Sequence, residues 1–263
     1  MTNKYRSGLD MTDTINWYES SGVKLPDLSA GKDLSSLVSN VGEISLTTDE
    51  ISGLYNLFSE KARARAMRFR IEGKPVTWFH KDSTSKNQIP TENLEEAISE
   101  KHIIPSYVSY PKNPDTGEFE GVIELYKLPD FISPEVKRLI HAEGLVHEIG
   151  HTIITPVLFF ENYKLKMSNG DIVNGLDSLI DFANMAEKYS PISHYSSLFR
   201  KDFSDSDMDN VKRGINEEMA ESLAAHLLGF TYTSDSERRL NPFLGRAEVK
   251  EYVKKFLEAE KAE

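Results

Sequence analysis

Residues 144–153 read GLVHEIGHTI. His147 and His151 stand four apart with Glu148 between them, an H-E-x-x-H pattern. On a helix this spacing puts two imidazoles one turn apart on one face, able to reach one ion. Glu148 follows His147 directly, close enough to act on a metal-bound water without being a ligand. The flanking residues predict that helix. Ser133 is a good N-cap, Pro134 suits the first helical position and Glu135 the first turn. Leu139, Ala142, Val146, Ile149 and Ile153 recur at spacings of three and four, forming one apolar stripe. His147 and His151 lie on a different line, with Ile140 and Gly144.

A catalytic zinc centre usually takes three protein ligands, so a third must be sought. One group of families continues the motif as H-E-x-x-H-x-x-G-x-x-H. Here Ile154 and Val157 stand at the glycine and third-histidine positions, which excludes that group. The chain has no cysteine, so disulfides and thiolate ligands are excluded as well. The remaining common choice is a glutamate on a later helix. INEEMAESLAAHLLG (215–229) offers Glu217 and Glu221 four apart on one face. Met219, Leu223 and Leu227 give that helix an apolar stripe. Glu218, His194 and His226 are further candidates.

HEIGH followed by NEEMAE resembles the gluzincins, the thermolysin-like zinc metallopeptidases. In them an Asn-Glu-x-x-(Ser/Ala)-(Asp/Glu) segment supplies the third ligand. EEMAESL is more similar still to the E-x-x-A-E-x-(F/L) segment of the anthrax lethal-factor and Pro-Pro-endopeptidase branch. The resemblance runs from about residue 121 to the C-terminus and is strong at the two motifs. It implies one zinc ion held by His147, His151 and Glu217, with Glu148 as general base. It also implies that Glu221 orients one ligand imidazole, that of His147 first. In that branch a tyrosine shortly before the third-ligand helix steadies the oxyanion. SPISHYSSLF (190–199) offers Tyr195 for that role, with His194 as the alternative, though Tyr195 stands farther from Glu217 than in the branch. An antiparallel edge strand pairs with substrate in this clan, and GVIELYKL (121–128), just before the motif helix, is the candidate. The long 152–216 span between the motifs implies an insertion.

Residues 1–46 are polar and rich in Ser and Gly, and read as an irregular arm carrying one short helix at most. Thr47 or Thr48 then caps a helix bearing Ile51, Leu54, Tyr55 and Phe58. KARARAMRFR (61–70) reads as a solvated helix face running into a strand. MRFRI (67–71) and PVTWFH (75–80) suggest a hairpin around EGK, and 103–110 and 121–128 two more strands. Helices are expected over 174–188, 215–229 and 246–260, with Gly229 closing the second. The expected fold is α+β and, from the resemblance, zincin-like. It has a small, mostly antiparallel sheet, then an active-site helix and a helical C-terminal lobe. The domain reading is an arm (1–46) and a metallopeptidase domain (47–263), divided into helix and sheet (47–130) and helical lobe (131–263).

A net charge of −11 argues against nucleic acid as a partner. No stretch is long and apolar enough for a membrane span, and the N-terminus lacks the apolar core of a signal peptide. The default expectation is a cytoplasmic protein, or a secreted one if a leader was removed or export is unconventional. Asp205, Asp207 and Asp209 in DSDMDN (205–210) resemble the start of a calcium loop. Asn210 and Asn216 stand where that loop needs Gly and Glu, which argues against calcium. The expected function is a zinc-dependent endopeptidase acting on a peptide or protein. The alternatives are a catalytically silent binding or regulatory protein on the same fold, and a toxin- or antirepressor-type peptidase dedicated to one partner.

Overall fold

A computed structural model describes residues 11–28, 32–75, 78–80, 101–103, 105–112, 117–193, 196–231 and 237–262. The chain is mixed α and β and divides into two compact units.

The first unit holds the described residues up to Leu54 and Arg68–Glu148. It opens with helix α1 (Met11–Ser21), whose Trp17 and Tyr18 are both buried. The Tyr18 hydroxyl donates to the carboxylate of Glu143. Helix α2 (Thr48–Asn56) starts as its sequence predicts. The Thr47 hydroxyl accepts from the Glu50 N–H and the Glu50 carboxylate accepts from the Thr47 N–H, a reciprocal cap.

The sheet of this unit has four strands, β1 (Val38–Ser39), β2 (Phe69–Lys74), β5 (Ser106–Ser109) and β6 (Gly121–Tyr126), in the order β1-β2-β6-β5. A separate antiparallel pair joins β3 (Trp78–His80) and β4 (Lys101–Ile103). The expectation of a mostly antiparallel sheet is corrected. β1–β2 and β2–β6 are parallel, and β5–β6 is antiparallel. Among the described residues the expected hairpin around EGK is also not formed, since β2 runs straight through Glu72, Gly73 and Lys74 and pairs with β1 and β6. Gly73 marks a close backbone approach rather than a turn. A Cβ there would stand 2.1 Å from the Asn40 carbonyl oxygen.

Alternation along these strands separates two faces. Phe69, Ile71, Ile123, Leu125, Ser106 and Val108 lie on the buried face. Arg70, Glu72, Lys74 and Glu124 form an ion-pair ladder on the other. Strand β6 is flanked by β2 and β5, so it is not an edge. Among the described residues the antiparallel edge strand is β5.

The motif helix α4 runs from Pro134 to Phe159. Its Ser133 cap is present, the Ser133 oxygens accepting from Val136 N and Lys137 N. Leu139, Ala142, Val146, Ile149 and Ile153 are all buried, as the apolar stripe requires. The helix continues past Ile153 and through Pro156.

The second unit holds Tyr55–Met67 and the chain from Ile149 onward. It contains α3 (Glu60–Arg65), α5 (Gly175–Ala186), α6 (Met208–Leu228) and α7 (Ala247–Glu258). An antiparallel sheet of β7 (Lys164–Lys166), β8 (Ile172–Asn174) and β9 (Glu260–Lys261) has β7 at its centre. The 152–216 span is therefore built from the end of α4, the β7–β8 hairpin, α5, short 3-10 turns and the start of α6. Gly229 closes α6 in the left-handed conformation, as expected of a helix-ending glycine.

The solvated reading of KARARAMRFR needs one correction. Arg65 is buried, and its guanidinium donates to the Phe256 carbonyl and lies over the Phe256 ring. Burial pulls its pKa down to about 10. The side chain is held as a packed, ring-stacked cation rather than a solvated one.

Candidate metal centre

His147, His151 and Glu217 are all buried, each at 2% exposure, and one donor atom from each lies within 4.8 Å of the others. The two histidines come from adjacent turns of α4, which is continuous through both. Glu217 comes from α6, and its carboxylate oxygen is 3.5 Å from the His151 Nε2. The contact between these helices is close because small residues meet there. A Cβ on Gly150, within the motif itself, would stand 3.5 Å from the Ala220 Cα.

The donor set could hold one metal ion. Two donors about 2.0–2.1 Å from one ion at tetrahedral angles lie about 3.3 Å apart. The His151–Glu217 distance of 3.5 Å is near that spacing. Two imidazoles and one carboxylate, without thiolate, match the ligand chemistry of catalytic zinc.

The other candidates for third ligand are placed as follows. Glu218, next to Glu217, is 1% exposed and engaged by the Arg200 guanidinium. Arg200 also donates to the carbonyls of Ala186 and Tyr189, so Glu218 serves as a buried structural anchor. His226, two turns beyond Glu218, packs edge-on against Phe243, and burial lowers its pKa. Glu221 is buried one turn beyond Glu217 on the same helix. Tyr195 and His194 lie outside the described residues. Ser193 and Ser196, on either side of them, are buried and cap each other through side-chain to backbone hydrogen bonds.

Glu148 is 3% exposed. Its Oε1 accepts a hydrogen bond of 2.9 Å from the Ser106 hydroxyl on β5. Ser106 was not singled out by the sequence, where it reads as one small residue in IIPSYVSY. One sequence signal marks it, its place on the apolar phase of a strand, and in the fold it faces Gly144 on α4. A Cβ on Gly144 would meet the Ser106 Oγ at 2.6 Å and its Cβ at 3.0 Å. The glycine is what lets strand and helix come this close.

His141, also unmarked in the sequence, is fully buried on α4. Its Nδ1 accepts from the Ser45 N–H and its Nε2 contacts the Tyr126 carbonyl, each at 2.9 Å. With Nε2 as the protonated nitrogen, both contacts are hydrogen bonds of the neutral ring. Burial pushes its pKa down to about 4. It fastens α4 to the end of β6 and to the loop before α2, upstream of the motif.

The acidic run at 205–210 is a helix start. Asp205 accepts from the Asp207 N–H and the Asn210 amide, and Asp207 caps α6 by accepting from Asp209 N. These carboxylates are engaged in local turns.

No protein-family model matches the chain, and no curated protein and no solved structure matches it. Among the described residues, no helix is long and apolar enough to cross a membrane.

Proposed function

We propose that the chain is a zinc-dependent endopeptidase of gluzincin type, with a zincin-like fold. The observation that carries the reading is the buried His147, His151 and Glu217 cluster, with Glu148 in the same turn of α4 as His147. Held by His147, His151 and Glu217, a zinc ion would supply Lewis-acid chemistry at this site.

The chain's own residues do the rest. Glu148 accepts a proton from the attacking water and delivers one to the leaving amine. Glu221 orients a ligand imidazole, and Tyr195, or His194 in its place, donates to the oxyanion. Substrate binding falls to β5 rather than to β6. Strand β5 is antiparallel to its neighbour, and among the described residues no strand pairs with its outer edge. An extended peptide can add to it through main-chain hydrogen bonds.

Peptide-library cleavage by the zinc-loaded protein, alongside Glu148→Gln, tests the reading. The parent cleaves peptides, and Glu148→Gln binds zinc and does not. Parental cleavage by Glu148→Gln would end this mechanism. A zinc-loaded parent that cleaves no peptide would favour the silent binding protein instead.

A further inference from the structure

We infer that Ser106 is a positioning residue that ties the substrate-binding edge of the sheet to Glu148. The inference rests on the peptidase reading above and adds a residue that neither motif contains.

Three observations carry it. The Ser106 hydroxyl donates to Glu148 Oε1 at 2.9 Å, and Ser106 is fully buried, so water does not compete for the bond. Gly144, one turn before Glu148, leaves the space that this hydroxyl occupies. The third observation is the register of β5. Tyr126 N donates to the Pro105 carbonyl, and Glu120 N donates to the Pro111 carbonyl. Because hydrogen-bonded pairs alternate along an antiparallel ladder, residues 105, 107 and 109 turn their main-chain groups toward β6. Ser106 and Val108 therefore turn theirs to the outer edge, where β6 does not reach.

One residue thus has two jobs. Its main chain lies where an added peptide strand would pair, and its side chain fixes one oxygen of the base. A carboxylate on a two-carbon stem has free torsions, and a positioned base must be held within a fraction of an ångström of its target. The chemistry recognised is an extended peptide backbone, with the scissile bond set by its register on Ser106.

The test uses the full-length protein and the variants Ser106→Ala and Ser106→Thr. Ser106→Ala is expected to lower kcat about ten- to a hundredfold, as for a lost hydrogen bond to a charged group, with KM changed less than about twofold. Ser106→Thr, which keeps the hydroxyl, is expected to recover most of kcat, and both variants keep one zinc per chain. Independently of activity, the zinc-free protein is unfolded in denaturant as parent, Ser106→Ala, Glu148→Ala and the double variant. Midpoint shifts that fail to add are expected for a direct bond. Parental kcat in Ser106→Ala, with Glu148→Gln inactive, would overturn the positioning role and leave the peptidase reading standing. Additive midpoint shifts would overturn the bond itself. A zinc-loaded parent that cleaves no peptide would overturn both readings.

Discussion

The Glu217 carboxylate lies 3.5 Å from the His151 Nε2, with both groups buried. That contact lies between the histidine helix and the glutamate helix. It also separates Glu217 from its neighbour Glu218, whose carboxylate is held by Arg200. The two adjacent acids have different partners, and their variants should behave differently.

Glu218→Ala should destabilise the fold without removing the metal. It leaves the Arg200 guanidinium, with 13% side-chain exposure, facing a lost partner. Breaking a buried ion pair on one side costs about 3–5 kcal/mol. The expected result is a large drop in the denaturant midpoint, with zinc still bound under native conditions. Zinc loss in the folded variant would show that Glu218 is a ligand.

Stability should fall on mild acidification because of His141. Its pKa is about 4 when folded, against 6.5 for the unperturbed group. Between those values the unfolded chain binds a proton that the folded chain refuses, so the stability of the folded state rises with pH across this window. The contribution is complete above pH 6.5 and is lost as the pH falls toward 4. A shift of this size corresponds to on the order of 3 kcal/mol. Denaturation midpoints measured from pH 7 to 4 should show the slope, and it should flatten in His141→Gln. An unchanged slope in the variant would assign it to other groups.

Gly144→Ala should destabilise the protein although alanine is the better helix former by about 1 kcal/mol. The added methyl would sit 3.0 Å from the Ser106 Cβ and 2.6 Å from its Oγ, so β5 or α4 must shift. Thermal unfolding checks the sign. A gain in Tm would mean that the strand and helix yield freely at this point.

Asp207→Ala should lower stability by about 1 kcal/mol through loss of the α6 cap, since Asp207 accepts from Asp209 N. Calcium should leave the parent Tm unchanged, because these carboxylates serve local turns. A calcium-dependent rise in Tm that Asp207→Ala removes would contradict this.

The helices were the most legible part of the sequence. Ser133 and Pro134 open α4, the Thr47–Glu50 pair caps α2, and Gly229 closes α6, each a local signal read from adjacent residues. The association of His147 with His151 is equally local, being one turn of one helix. The pairing of β2 with β6 was not legible. It joins Phe69–Lys74 to Gly121–Tyr126 in parallel across a long excursion, and alternation within a strand does not name its partner. Gly73 misled for the same reason, since a glycine at a backbone crossing and a glycine in a turn look alike in sequence. Ser106 and His141 were missed because their roles depend on residues far away in the chain, Glu148 for one and Ser45 and Tyr126 for the other. Glu217 was reachable through its motif. Its separation from Glu218 needed the position of Arg200, which the local sequence does not give.

Zinc content is the deciding measurement for the His147, His151 and Glu217 site. Metal analysis should be made on the folded parent, Glu217→Ala and Glu221→Ala after equilibration with limiting zinc. One zinc per chain is expected in the parent, with loss in Glu217→Ala and weakened but retained binding in Glu221→Ala. A parent that binds no zinc, or zinc retained in Glu217→Ala and lost in Glu221→Ala, would contradict the site as drawn.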